Sequence, residues 1–322
     1  MRSLSLFCLM FFMVGCSHTL PELAVRGELA QGDYRVDTDA TFQLSHRNFL
    51  LHVPPFDLVG QPQPLVIVIH GAFSTGKQIA LESGFNHLSD QEGFLVAYPE
   101  GIGLFGLLQH WNAGHCCGKA ANDQIDDVGF ILDVVDVVQN NFKVDKSRIY
   151  IAGMSNGGML AYRVLAEHPQ LFAAGAVVSG AIGSRESEAE TWGFTPPDQG
   201  VPLILLHGDT DQHIPVDGGI SPFKRGDREY LSLNEAVALW QTANHCSKNP
   251  DEALLYGDIR QTSWPCSEAL QTVQISGWGH KWPAPYLTGT LPSSHPLYRF
   301  NGTRMIWDFF SSNTRKKALT VP

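Results

Sequence analysis

The stretch 149-IYIAGMSNGGMLAYRVLAEHP-169 decides how this chain is built. It starts as an apolar run of strand length and breaks on glycines around Ser155. It then resumes with apolar residues at helical spacing until Pro169 stops it. "GMSNG", residues 153–157, satisfies G-x-S-x-G between a predicted strand and a predicted helix. A serine in such a turn takes a strained backbone conformation, and Gly153 and Gly157 leave room for neighbouring elements. The hydroxyl is thereby pushed out above the sheet edge. The helix that follows aims its N-terminal N–H groups and dipole at the same spot, where they favour negative charge on a bound carbonyl oxygen. A glycine–serine turn that only turns is the plain alternative, and the strand-to-helix context favours a nucleophile.

Working outward, the same strand-then-break pattern recurs at "PLVIVIHG", "GFLVAYPEG", "FAAGAVVSG", "VPLILLHGD" and "LQTVQISGWGH". Continuous apolar runs without a polar face suit strands in the middle of a parallel sheet. "DDVGFILDVVDVVQNNF", residues 126–142, reads as an intervening helix, with Asp126 and Asp127 as a natural N-cap. Strands alternating with helices imply an α/β fold with a mostly parallel sheet covered on both faces. One domain is expected over residues 39–322. Residues 183–200 and 283–300 should lie over the C-terminal edge of the sheet, where ligands sit in such folds.

Serine is a weak nucleophile at neutral pH, so a base must stand within its reach and an acid must orient that base. "VPLILLHGDTDQHIPV" offers Asp209 and Asp211 just beyond a strand, and spacing alone does not separate them. Among His213, His245, His280 and His295, only His280 follows a strand-like run within a glycine-rich loop, "GWGHKWP". That placement suits a ring reaching over the sheet edge. The backbone N–H groups of Asn156 and of Ala72, in "HGAFSTG", are the expected oxyanion donors. His70 reads as support for that loop. Trp111, Trp278 and Trp282 are candidate apolar walls for an acyl or aromatic group, with core packing as the plain alternative.

At 322 residues, 43% hydrophobic and 17% charged, the composition suits a packed globular domain. A formal charge of −10 without a basic stripe argues against nucleic acid or an anionic membrane surface as partner. The opening "MRSLSLFCLMFFMVGC" joins Arg2 to an apolar run too short to span a bilayer, as in an export signal. "MVGC" resembles the bacterial lipoprotein cleavage box, with Met13 in place of the usual leucine. The resemblance implies a signal over residues 1–15 and a lipidated Cys16, and the polar stretch without a clear period that follows reads as a tether over residues 16–38. Ser17 then fits sorting to a Gram-negative outer membrane, and periplasmic or secreted residence is the alternative. An exported compartment permits a disulfide between Cys246 and Cys266 across a polar insertion. Adjacent Cys116 and Cys117 could be packed thiols, a vicinal disulfide or a metal site, although "HCCG" matches no zinc spacing.

Taken together, "VIVIHGAFSTG", "YPEG", "WNAGHCCG", "DDVGFI", "IYIAGMSNGG", "HGDTDQHIPVDGG" and "GHKWP" resemble the secreted α/β-hydrolase esterases of the polyhydroxybutyrate depolymerase-like and feruloyl or acetylxylan esterase group. The resemblance runs from about residue 40 to the end. The family's G-T-x-D motif falls on residues 208–211, with Asp209 where the family has Thr, and its last position selects Asp211 as the acid. The family's G-H-x-W-P histidine falls on His280. The resemblance implies ester hydrolysis through Ser155, His280 and Asp211 without metal or organic cofactor. A hydroxyalkanoate polyester or oligomer, or a feruloyl or acetyl ester on plant polysaccharide, is the expected partner. A serine peptidase and a non-catalytic surface lipoprotein are the rivals.

Overall fold

The computed structural model describes residues 32–42, 45–55, 61–104, 107–187, 190–192, 195–223, 228–255, 259–289 and 291–315. The expected signal segment and Cys16 lie outside the described residues. The chain enters through β1 (Gly32–Phe42), β2 (Ser45–Val53) and β3 (Gln63–Ile69). Helices α1 (Gly76–Ser83) and α2 (Phe85–Glu92) lead to β4 (Leu95–Pro99). A hairpin of β5 (Ile102–Leu104) and β6 (Leu107–His110) and the short α3 (Gly118–Asn122) precede α4 (Asp127–Asn141). Next come β7 (Val144–Met154), α5 (Asn156–Glu167) and β8 (Ala174–Val178). After β9 (Ser184–Ser187) and β10 (Glu190–Trp192), β11 (Leu203–Gly208) returns to the main sheet. β12 (Gly219–Ile220) and β13 (Glu229–Tyr230) complete a side sheet with β9 and β10. The chain continues through α6 (Leu233–Ala243), β14 (Asp251–Leu254), β15 (Ile259–Trp264), β16 (Leu270–Ile275), α7 (Pro285–Thr288) and α8 (Gly302–Ser311).

The main sheet runs β1-β2-β4-β3-β7-β8-β11-β16-β15-β14. From β4 to β16 the neighbours are parallel, and antiparallel pairs flank them on both sides. From β3 the chain steps outward to β4, then crosses back to place β7 on the other side of β3. The strand order therefore reverses between β3 and β7, and a crevice opens at their C-terminal ends. All of β3 is buried, which explains its unbroken apolar sequence. Leu65, Ile67 and Ile69 pack with α4, α5 and α6 on one face. Val66 and Val68 pack with α1, α2 and α8 on the other, among Phe85, Trp307 and Phe310.

Two local expectations change. Residues 32–38, read as tether, belong to β1, whose buried Tyr34, Val36 and Thr38 alternate with exposed residues. An edge strand with one apolar face keeps enough polar residues to look like linker. Asp126 caps α4 by accepting from Gly129 N at 2.8 Å, but Asp127 does not share that work. Its fully buried carboxylate pairs with Arg47 Nη2 at 2.7 Å and accepts from Asn112 N at 2.6 Å. Removing either partner of such a buried pair would cost about 3–5 kcal/mol. Cys246 and Cys266 are joined across the β14–β15 hairpin, and Cys116 is joined to Cys117.

Candidate active site

Ser155 follows the last residue of β7 and stands as the N-cap of α5, with φ 55° and ψ −123°. A non-glycine residue holds that left-handed φ only where the surroundings dictate it. The surroundings here are close backbone contacts. A Cβ on Gly153 would stand 2.3 Å from Gly157 O, and one on Gly157 would stand 2.4 Å from both His70 O and Ile69 O. The two glycines therefore let β7, α5 and the end of β3 meet backbone to backbone. Gly71 is close but less so, since a Cβ there would lie 3.3 Å from Ser155 Cβ.

The loop after β3 is fixed by a buried histidine. Burial lowers the His70 pKa to about 4, so the ring is neutral at ordinary pH. Its Nδ1 donates to Gly71 O at 2.7 Å, and its Nε2 accepts from Gly101 N at 3.1 Å. A trans peptide points its C=O and N–H in opposite directions, so anchoring Gly71 O also sets the direction of the Ala72 N–H. Gly71 and Ala72 line the same cleft as Ser155. The Asn156 side chain faces the other way: its Oδ1 accepts from Trp111 N at 2.8 Å, and its Nδ2 donates to Trp111 O at 3.1 Å.

Beyond β11 the two aspartates take separate work. Asp211 Oδ2 accepts from His280 Nδ1 at 2.7 Å, while its Oδ1 accepts from His213 N and Ile214 N, each at 2.9 Å. Burial pushes the Asp211 carboxyl up, but the His280 hydrogen bond and charge, with the Ile214 N–H, more than offset it and hold the pKa below the ordinary carboxylate value. His207 sits beneath, 3.6 Å from Asp211 Oδ2, and burial lowers its pKa while its Nε2 donates to Ile214 O. Asp209 instead accepts from Gly277 N at 2.7 Å and Ser276 Oγ at 2.9 Å, tying down the loop that carries His280. Thr210 N donates to Trp278 O at 3.1 Å and fastens the same loop again.

Ser155 and His280 both border a cleft of about 610 Å³. Among the described residues no hydrogen bond joins their side chains in this conformation. Leu81, Met154, Trp282 and Leu287 give the cleft apolar walls. Trp282 borders this cleft, although it is itself buried and its Nε1 donates to Thr303 Oγ1 at 2.8 Å. Trp111 and Trp278 do not: both are buried elsewhere, Trp111 donating from Nε1 to His70 O and Trp278 from Nε1 to Lys281 O. Their indoles brace the two loops that carry Ala72 and His280. Of the remaining histidines, His213 stacks on His280, His245 follows α6, and His295 caps a 3₁₀ turn by accepting from Leu297 N.

The chain is similar to known esterases. A family model described as esterase PHB depolymerase matches residues 47–191. NocK of Nocardia uniformis subsp. tsuyamanensis, a protein classed by name as an esterase, is 29% identical over 263 residues, 76% of this chain and 72% of that protein. Acetylxylan esterase A of Aspergillus ficuum is 26% identical over 243 residues, 73% of this chain and 69% of that protein. The solved acetyl xylan esterase from Aspergillus awamori superposes with a TM-score of 0.55 at 18% identity, spanning 87% of this chain and 99% of that one. That likeness is one of fold.

Proposed function

We propose that this chain, a carboxylic ester hydrolase of α/β-hydrolase fold similar to the polyhydroxybutyrate depolymerase esterases, works through Ser155, His280 and Asp211. The observation that carries the reading is the 2.7 Å hydrogen bond from His280 Nδ1 to Asp211, formed at the cleft that also holds the strained Ser155. With Nδ1–H given to Asp211, His280 presents Nε2 as a base. Nε2 takes the hydroxyl proton as Ser155 Oγ bonds to the ester carbonyl carbon, and the carbonyl electron pair moves onto oxygen. The Ala72 and Asn156 amides receive that oxyanion. Collapse expels the alcohol, which takes the proton from His280, and leaves an acyl-enzyme. Water, deprotonated by the same nitrogen, then releases the acid and restores Ser155. Catalytic hydrogen bonds often shorten only once substrate is bound, which suits the open Ser155–His280 leg.

The apolar cleft walls, with Phe73 68% exposed beside Ala72, favour an ester with a hydrophobic acyl chain, such as a hydroxyalkanoate oligomer or polyester. The acetylxylan esterase relatives favour a second reading, an acetyl or feruloyl ester on polysaccharide. Fluorophosphonate labelling tests the mechanism: the protein should label, and Ser155→Ala should lose both the label and at least about 10⁴-fold in kcat. Labelling that survives Ser155→Ala would overturn the site. Hydroxybutyryl, butyryl, acetyl and feruloyl esters assayed side by side rank the substrates. With β1 part of the main sheet, the hydrolase unit is proposed to run from about residue 32 onward, exported and anchored through a lipidated Cys16. Cys16→Ser should then release it from membranes, and unchanged retention would refute the anchor.

A further inference from the structure

One ring at the site has no part in the reaction as written. His213 follows Asp211 by two residues, and its backbone N–H donates to Asp211 Oδ1 at 2.9 Å. Asp211 Oδ2 holds His280 Nδ1 at 2.7 Å, so a single carboxylate fixes the backbone of one histidine and the ring of the other. The two imidazoles lie face to face, with centroids 4.9 Å apart and planes 17° from parallel. Behind His213 the Phe223 ring stacks in turn at 4.6 Å and 19°. His213 is thus the middle layer of a three-ring pile whose inner member is His280. Phe223 is the outer member and is 62% exposed.

A base in this position must keep Nδ1 on the carboxylate and Nε2 turned to the serine. The Asp211 hydrogen bond sets the distance of the ring but leaves its tilt free, because the imidazole can rock about the Nδ1–Oδ2 line. A flat neighbour against its face removes that freedom. The geometry points to His213 as a positioning residue that fixes the plane of His280 by stacking, and that does so as a neutral ring. The inference rests on the Ser155–His280–Asp211 reading above.

Neutrality follows from the chemistry of the step. Each time Ser155 loses its proton His280 becomes a cation, and a second cation stacked on it would oppose that event, whereas a neutral π face favours it. The titratable groups facing His213 are Asp211 on its own loop, His280 on the loop after β16, and His207 on β11 behind the shared carboxylate. Burial, and then the neighbouring His280, lower the His213 pKa below the ordinary histidine value, in keeping with a ring that stays neutral.

Three substitutions test this: His213→Phe keeps a flat neutral ring, His213→Ala removes the stack, and His213→Lys places a fixed cation there. With p-nitrophenyl butyrate, His213→Phe should stay within about threefold of the parent kcat, while His213→Ala should fall about tenfold with KM moving less than twofold. His213→Lys should fall further and move the acid limb of kcat/KM to lower pH, because the ammonium disfavours a charged His280. Phe223→Ala, at an exposed position, should give a smaller loss of the same kind. The 2.7 Å hydrogen bond to Asp211 should give His280 Nδ1–H a far-downfield proton resonance, a readout that needs no turnover. It should persist in His213→Phe and broaden away in His213→Ala. A His213→Ala protein with parent kcat and an unchanged resonance would overturn the inference. Were the parent protein unable to hydrolyse esters, the functional reading would fail, and the resonance would still decide whether the stack holds the ring.

Discussion

Two histidines in this molecule are held by carboxylates at nearly the same distance, and they do opposite things. His280 Nδ1 lies 2.7 Å from Asp211. His52 Nδ1 lies 2.6 Å from Asp33, and its Nε2 lies 2.9 Å from Asp90. Around His280 one ring nitrogen is committed and the other is left for the cleft. Around His52 both nitrogens are committed, which leaves none to move a proton. The carboxylates differ as well: the Asp211 side chain is fully buried, while Asp33 and Asp90 are 51% and 41% exposed. A His–Asp contact therefore says little by itself. What separates a proton relay from a clamp is the second ring nitrogen and the dielectric around the carboxylate.

Replacing each carboxylate by its amide breaks the comparison most sharply. In Asp211→Asn the amide no longer stabilises the imidazolium or enforces the tautomer, so kcat should fall about 10³–10⁴-fold while the protein still folds. Asp33→Asn should leave kcat within about twofold. Steady-state kinetics on one ester decides it, and equal losses would mean that Asp211 orients no proton. Asp209 gives an intermediate case. It holds Gly277 and Ser276 rather than His280 itself, and Thr210 N to Trp278 O is a second fastening of the same loop. Asp209→Asn should therefore cost about tenfold in kcat, through looser placement of the ring. A loss as large as that of Asp211→Asn would identify Asp209 as the orienting acid.

The two clusters also differ in how far they could be read from sequence. The parallel strands announce themselves as unbroken apolar runs, and the strand–turn–helix around Ser155 is a local event written in contiguous residues. Asp211 follows such a run and His280 follows the more mixed strand β16, so their meeting follows from the sheet once these two strands are in parallel register. Spacing could not divide Asp209 from Asp211, because both follow β11 and only the tertiary contact distinguishes a ring from a loop amide. Arg47 and Asp127 are 80 positions apart and carry no local signal, and the same holds for the Trp111 peptide on Asn156. Trp111 and Trp278 looked like substrate walls because tryptophan suits both a cleft and a core; all three indoles are buried, and only the tertiary placement of Trp282 at the cleft tells it from the other two. The His52 clamp was invisible for a related reason: Asp33 belongs to a strand that reads as linker, and Asp90 belongs to α2.

The smallest predicted effect probes the clamp and carries a sign. Burial alone pushes the His52 pKa down, but the hydrogen bonds to Asp33 and Asp90 more than offset it, so the folded value lies above the ordinary 6.5. A raised folded pKa means that the native state holds the proton more tightly than the unfolded chain. The contribution to stability is then complete below the unfolded value and fades as pH rises through the folded one. Half-exposed carboxylates are screened, which limits the pair to about 1 kcal/mol, or roughly 2 °C in Tm for a domain of this size. The double variant Asp33→Asn/Asp90→Asn should accordingly melt about 2 °C below the parent at pH 5–6, converge with it by about pH 9, and keep its kcat throughout. A gap that stays constant across that range would show that His52 binds no extra proton on folding, leaving a neutral ring that can donate to only one of the two carboxylates. A gap accompanied by lost activity would tie the clamp to the distant cleft and erase the distinction between the two histidines.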